Sequence, residues 1–258
     1  MIEIRQEYLE SIDSTNNEIK RRAQLGAEEG LVISAGMQTA GRGRRGHQWE
    51  SPNNVSIATS LLLRPSMAAG EISSLTLVAA LAVRQAVERL YGLETLIKWP
   101  NDVIIQGKKV CGILTELSAR DGYPEYVVIG IGVNVHTMAF PEELQDKAIS
   151  IDQALAASEG AMAVRGSRKE LTRAIWEAFV MLYEVFSMTG DLSVVMEEYN
   201  RYLVNRNAKV RVMDPQGAWE GIARGINSKG ELLVETKDDL RCVDAGEVSV
   251  QGVYGYVF

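Results

Sequence analysis

Between Gln38 and Ser51 the chain places three arginines, Arg42, Arg44 and Arg45, within four positions and sets them among Gly41, Gly43 and Gly46. Guanidinium groups form paired hydrogen bonds with carboxylates and phosphates, and glycine lets main-chain N–H groups come close to a ligand. The segment is therefore suited to holding an anion. Its glycines also spell GxGxxG, a motif that in dinucleotide-binding folds opens a helix whose N-terminus receives the pyrophosphate. Here the continuation is His47-Gln48-Trp49-Glu50-Ser51-Pro52-Asn53-Asn54, turn chemistry leading into a strand, so the dinucleotide reading is set aside. An Arg/Gly nucleic-acid contact and a plain solvated loop remain open on local grounds.

Three further constellations carry potential chemistry. In Lys98-Trp99-Pro100-Asn101-Asp102 the proline cannot donate a sheet hydrogen bond, which puts Asn101 and Asp102 at a sheet rim where a ligand or Mg²⁺ could meet them; the alternative is an Asn-Asp turn. In Lys109-Val110-Cys111-Gly112 a glycine inside a strand implies that something approaches the backbone closely. Lys109, three residues earlier, falls on the opposite pleat face if the strand is regular, and a surface lysine is the alternative. Gly130-Ile131-Gly132-Val133-Asn134-Val135 is an apolar strand with two glycines, suited to a flat ligand lying against a sheet.

Regular elements must present these segments. β-Branched runs bounded by Gly, Asn and Pro indicate strands at Tyr8–Ile12, Leu31–Met37, Ser56–Arg64 and Leu96–Trp99. A meander of adjacent antiparallel strands is expected over Val103–Ile105, Lys109–Leu117 and Tyr126–Val135, with Gln106-Gly107 and Asp121-Gly122 at its corners. Ser14-Thr15-Asn16 supplies N-cap residues for a short helix stopping at Gly26. A long helix is predicted over Glu71–Tyr91, with Leu75, Val78, Leu81, Ala82 and Ala86 on one stripe and Gly92 as its stop. Helices at Ser150–Ala157, Ser167–Phe186 and Leu192–Leu203 precede a return to short strands at Lys209–Met213, Ala218–Asn227, Glu231–Glu235, Leu240–Val243 and Val248–Val250. Turn sequences at Asp214-Pro215-Gln216-Gly217, Ser228-Lys229-Gly230 and Asp244-Ala245-Gly246 separate them. Such a series of short strands suggests a small SH3-like barrel.

The 258 residues contain 46% hydrophobic and 24% charged side chains with only 6 prolines, enough for a real core and without disordered or fibrous bias. The N-terminus has neither a cationic lead nor an apolar run, and the longest uncharged apolar run, Leu75–Val83, is far short of the roughly 18 residues that span a bilayer. A cytoplasmic protein with no membrane role is expected. Two cysteines and two histidines at unrelated spacings argue against a structural zinc site, so no protein-only metal site is expected, and they point to reduced thiols. The formal charge of −7 disfavours a chain coated for nucleic acid, yet it conceals the local arginine cluster.

Taken in order, Ser14-Thr15-Asn16, the Gln38-to-Trp49 loop, Lys98-Trp99-Pro100-Asn101-Asp102, Lys109-x-x-Gly112-Ile113-Leu114-x-Glu116 and Gly130-Ile131-Gly132-Val133-Asn134 closely resemble the biotin protein ligases, over nearly the whole chain. The resemblance implies an α+β fold: a mixed, mostly antiparallel sheet with flanking helices of class II synthetase-like type over residues 1–205, and an SH3-like β-barrel over 206–258. It implies ATP-dependent activation of biotin to biotinyl-5′-AMP, then transfer of biotin to a lysine of a biotin carboxyl carrier protein domain, as in acetyl-CoA carboxylase. On the family's pattern Lys109 and Arg42 would be catalytic. Ser14, Thr15, Asn16, Gln38, Arg42, Gly43, Arg44, Lys109 and Gly112 would bind biotin, and Arg44, Trp49, Asn101, Asp102 and Asn134 would bind the nucleotide. Mg²⁺ would come with ATP, near Asp102. Since the Ser-Thr-Asn segment starts at residue 14, there is no room before it for the winged-helix domain of bifunctional members, so a monofunctional ligase that does not bind DNA is expected. An exposed sheet could support a homodimer. The arginine-glycine loop, Gly41–Trp49, is expected to be mobile without ligand and to close over the adenylate. A lipoate or octanoate ligase on a related fold, or a nucleic-acid-binding module built on the Arg/Gly loop, are the competing readings.

Overall fold

The computed structural model describes residues 2–49, 54–158, 166–214, 217–245 and 249–252. Seven strands, β1 (Arg5–Ile12), β2 (Leu31–Gln38), β3 (Ser56–Leu63), β4 (Leu96–Lys98), β5 (Asp102–Ile105), β6 (Lys108–Arg120) and β7 (Tyr123–Asn134), form one sheet in the order β1-β2-β3-β7-β6-β5-β4. Only β1 and β2 run parallel; every other neighbouring pair is antiparallel, as the mixed, mostly antiparallel expectation requires. The two meander corners are tight turns in which both central residues have positive φ, Gln106 and Gly107 at 49° and 77°, Asp121 and Gly122 at 52° and 83°. That is the backbone a two-residue hairpin needs to match strand twist.

Helices cover the sheet unequally. On one face lie α2 (Ser74–Tyr91) and α4 (Arg168–Thr189), packed on each other and on β3, β6 and β7. Leu75, Val78, Leu81, Phe179 and Trp176 meet Leu61, Ile113, Ile129 and Ile131 in the main core. Gly92 ends α2 in the left-handed conformation (φ 62°), as its position in the sequence predicts. On the opposite face α1 (Thr15–Gln24) buries Ile19 and Ala23 against Ile33, Leu62 and Val128. This smaller cluster leaves the neighbouring stretch of that face to the cleft described below. Ser14 stands at the N-cap of α1 but makes no side-chain cap bond. No described helix is long and apolar enough to cross a membrane.

Short helices α3 (Ile151–Ala157) and α5 (Met196–Tyr202) lead to a second sheet of β8 (Lys209–Asp214), β9 (Gly217–Ile226), β10 (Leu232–Glu235), β11 (Leu240–Val243) and β12 (Ser249–Gly252). Its order is β11-β10-β9-β8-β12, antiparallel throughout. Among the described residues no ladder joins β11 to β12, so the expected barrel is an open five-stranded sheet. The turn residues Pro215, Gln216 and Gly246, and Val248 of the last predicted strand, lie outside the described residues. Contact with the first layer is polar as well as apolar: Trp99 Nε1, in the turn after β4, donates to Gly230 O (3.0 Å), and Ser74 Oγ, at the start of α2, donates to Lys229 O (2.8 Å).

Candidate active site

The uncovered part of the sheet is a floor nearly free of side chains. Ala58 on β3, Gly132 on β7 and Gly112 on β6 stand side by side in the ladders, with Ser60, Gly130 and Leu114 in the next row on that face. Each glycine is needed for what lies above it. A Cβ at Gly132 would fall 2.7 Å from Trp49 Cζ2, one at Gly112 3.1 Å from Trp49 Cζ3, and one at Gly130 2.8 Å from Asn16 Cγ. The first row continues sideways, because Gly112 pairs with Asp102 and Asp102 with Lys98.

One end of this cleft is neutral and polar. Ser14, Thr15 and Asn16 are buried at the start of α1. Gln38 Oε1 accepts from the Thr15 main-chain N–H (2.8 Å) and hydroxyl (3.1 Å). Ser60 Oγ lies 2.7 Å from Thr15 Oγ1 and 2.6 Å from Asn16 Oδ1. Asn16 Nδ2 donates to Glu116 Oε2 at 2.8 Å, and Lys20 Nζ sits 2.6 Å from Glu116 Oε1. Burial pushes the Glu116 pKa up, but the bonds from Lys20 and Asn16 outweigh it and hold the carboxyl below its ordinary value.

The other end is cationic. Register shifts between β5 and β6 so that Val103 pairs with Cys111 and Ile104 with Lys109, leaving Val110 as an extra residue. Val110 and Cys111 are both buried as a result, and Lys109 turns onto the face of Gly112, where its Nζ lies 3.0 Å from the position of a glycine Cβ. The regular-strand expectation that Lys109 faces away from Gly112 is thus overturned by one bulge. Lys109 Nζ pairs with Asp102 Oδ1 (2.6 Å) and lies 5.8 Å from the Trp49 ring centroid. Arg44 donates to Asn101 Oδ1 (3.1 Å) and to Ala245 O (2.5 Å), while Arg42 reaches Asn17 Oδ1 (3.1 Å) and Glu116 (3.3 Å). Burial lowers the pKa of Arg44, with Arg45 adding to it, and likewise lowers that of Lys98, where Lys109 adds and Asp102 opposes. Cations held together out of water in this way favour an anionic ligand.

Ser14, Thr15, Asn16, Gln38, Arg42, Gly43, Arg44, Trp49, Asn101, Lys109 and Gly112 therefore line a single cleft. Asp102 sits behind Lys109. Asn134 opens instead on an adjoining hollow of about 430 Å³ shared with Trp49, Lys109, Thr137, Phe140 and Ala148. Arg45, exposed with φ 55°, is not among the cleft residues. After Gly46 the chain passes into extended backbone and no helix follows among the described residues, so the GxGxxG pattern lacks its phosphate-binding helix there; Glu50, Ser51, Pro52 and Asn53 lie outside the described residues. Sequence reasoning missed Ser60, Lys20 and the Ala245 carbonyl. Ser60 could have been found by its alternation with Ala58 on β3; nothing in the sequence marks Ala245. No cluster of three His, Cys, Asp or Glu side chains occurs among the described residues.

Comparison with known proteins identifies the family. A profile of the biotin/lipoate A/B protein ligase family matches residues 8–134, and one of the biotin protein ligase C terminal domain matches residues 207–251. The bifunctional ligase/repressor BirA of Bacillus subtilis is 35% identical over 245 residues, 94% of this chain and 73% of that protein. The biotin–[acetyl-CoA-carboxylase] ligase of Mycobacterium tuberculosis is 34% identical over 91% of this chain and 85% of its own length. A biotin protein ligase from Aquifex aeolicus, solved with biotin and ATP, superposes with a TM-score of 0.82 at 27% identity, covering 96% of this chain and 98% of that one. With its glycine floor, its arginine loop and relatives matched over most of their length, the chain is a member of the biotin protein ligase family.

Proposed function

We propose that the protein activates biotin with ATP to biotinyl-5′-AMP, releasing pyrophosphate, and passes the biotinyl group to a lysine of a biotin carboxyl carrier domain. The observation that carries this reading is the two-ended cleft, a neutral polar pocket continuous with a cluster of partly buried cations over a flat glycine floor. A fused bicyclic urea with an acyl tail has the same division, a neutral ring at one end and a carboxylate at the other. Ser14, Thr15, Asn16 and Gln38 would hydrogen-bond the ring system, with Gly112 and Gly43 giving main-chain access to the ligand. A carboxylate and an α-phosphate repel each other, and bringing them together requires fixed cations. Arg42 and Arg44 supply paired donors for that purpose, and Lys109 a compact charge beside the reacting carbonyl.

The nucleotide would occupy the hollow beyond Lys109, against Trp49, with Asn134 at its wall and Asn101 and Asp102 at its phosphate end. The buried Trp49 Nε1 and Thr137 Oγ1, which bond to no described residue, are donors suited to a polar ligand there. Mg²⁺ would arrive with ATP, with Asp102 the carboxylate beside its phosphates. The cleft itself holds only about 50 Å³, space for a few waters at about 10–15 Å³ each, which supports the expectation that the Gly41–Trp49 loop moves to admit biotin and then covers the adenylate. The free edge of β1, exposed along most of its length, is where a second copy would pair in a homodimer.

Pyrophosphate exchange into ATP, with biotin, lipoate and octanoate offered separately, tests the reading. Exchange that depends on biotin alone is expected. Exchange driven by lipoate or octanoate instead would move the assignment to the lipoate side of the family, and exchange with none of the three would refute it.

A further inference from the structure

One carboxylate at the polar end of the cleft has no part in the chemistry above. Glu116 is mostly buried, with 17% of its side chain exposed, and both of its oxygens are engaged: Oε2 with Asn16 Nδ2 at 2.8 Å, Oε1 with Lys20 at 2.6 Å and Arg42 at 3.3 Å. We propose that Glu116 is a positioning residue for recognition of the ligand's neutral ring: it fixes which way the Asn16 amide faces, and it holds Arg42 beside the cleft until an anion draws it away. The proposal rests on the biotin reading of the site.

The argument is one of donors and acceptors. An asparagine amide presents a carbonyl on one side and an NH₂ on the other, and a half-turn about its last bond exchanges them. Asn16 has two close side-chain neighbours, Ser60 Oγ at 2.6 Å from its Oδ1 and the Glu116 carboxylate at its Nδ2, while the Leu114 carbonyl stands at a long 3.5 Å from Nδ2. A hydroxyl both donates and accepts, so Ser60 alone tolerates either orientation. An ionised carboxylate only accepts, so Glu116 admits one: NH₂ toward β6, carbonyl toward Ser60 and over Gly130. Gly130 permits this placement because a Cβ there would meet the Asn16 amide at 2.8 Å from Cγ and 3.0 Å from Nδ2. The orientation of a ring-reading amide is thus dictated by an acidic residue beneath it.

Charge supports the second half. Arg42 has nearly half its side chain exposed and shares Glu116 with Lys20. When Arg42 leaves for a carboxylate or phosphate, Lys20 stays, so the buried Glu116 keeps a counter-ion and the departure does not strand a charge.

Titration calorimetry of the intact protein with biotin, and separately with ATP, tests this on Glu116→Gln. The variant keeps shape but can donate as well as accept, so it no longer enforces the amide. Biotin Kd is expected to rise about tenfold, the effect of one lost charge-assisted hydrogen bond, while ATP Kd changes less than about twofold and the melting temperature is retained. Biotin affinity within about twofold of wild type overturns the proposal, as does an equal loss for both ligands accompanied by a lower melting temperature, which marks a structural role. Should Glu116→Gln fail to fold, Glu116→Asp, still an acceptor only, is expected within about threefold of wild type, and a tenfold loss at normal stability overturns the idea. Wild-type protein that does not bind biotin at all refutes the functional reading itself.

Discussion

Gly132→Ala isolates the floor of the cleft from the fold that carries it. The added methyl carbon would lie 2.7 Å from both Cζ2 and Nε1 of Trp49, where carbon contacts settle at about 3.5–4.0 Å, so the indole must retreat by at least about 0.8 Å. β7 cannot yield, because Gly132 is paired on both sides, with Ala58 and Gly112. The cost therefore falls on a loop side chain. Overpacking of this size costs about 1–3 kcal/mol, or about 5- to 150-fold in binding, and it is charged against the ligand that needs Trp49 in place. KM for ATP in biotin-dependent pyrophosphate exchange should rise at least about fivefold, while the melting temperature moves by less than about 3 °C. Gly112→Ala is the contrast: it crowds Trp49 less, with Cζ3 at 3.1 Å, but meets Lys109 Cε at 2.9 Å and Nζ at 3.0 Å, so it should raise KM for ATP less than Gly132→Ala and lower kcat instead. Unchanged KM for ATP in Gly132→Ala, with unchanged tryptophan fluorescence, would refute the placement of Trp49 against the nucleotide.

Other outcomes follow from the same geometry. Lys109→Ala and Arg42→Ala should lose adenylation by more than about a hundredfold with little change in urea midpoint; wild-type exchange in either removes that residue from the chemistry. Arg21, with Asn17 and the Ser14 main chain assisting, holds the Asp13 carboxyl well below the usual range, so its stabilising effect is complete above the unfolded pKa of about 3.9 and fades as pH falls toward the folded value. The gap in urea midpoint between wild type and Asp13→Asn should thus be full at pH 7, shrink below about pH 4 and be smaller still at pH 2; a constant gap would contradict it. Trypsin cleavage at Arg44 and Arg45 should slow when biotin and ATP are both present, and equal rates would speak against loop closure. Trp99→Phe leaves the buried Gly230 carbonyl without its donor and should cost about 1–3 kcal/mol in denaturant unfolding.

Much of this molecule can be read from the sequence because its local signals agree with one another. Paired positive-φ turns at Gln106-Gly107 and Asp121-Gly122 fix the meander, and Gly92 stops α2 where its stripe ends. What stayed hidden was set by pairing between distant strands. The face of Lys109 depends on Val110 being skipped in the β5–β6 ladder, and no feature of Lys-Val-Cys-Gly announces a bulge. The N-terminal reach of β1 to Arg5 was missed because Arg5, Gln6 and Glu7 are polar on both faces, a pattern that only its pairing with β2 turns into a strand. Glu116 looked like the last letter of a motif until the fold brought Asn16, a hundred residues away, onto its oxygen.

Besides its apolar packing, the second sheet meets the turns and helix around the first through main-chain oxygens: Ala245 O on Arg44, Gly230 O on Trp99, Lys229 O on Ser74. A carbonyl is the same whichever side chain its residue bears. These three bonds therefore depend on the backbone path of the small sheet and not on the side chains its residues bear, while Val210, Ile226 and Leu232 are held by the main core and Gly230, at φ 81° against Leu77 and Leu192, is held by its turn. Insertions and deletions in the 229–230 and 245 turns, which shift that path, are the changes that would silence the enzyme from a distance.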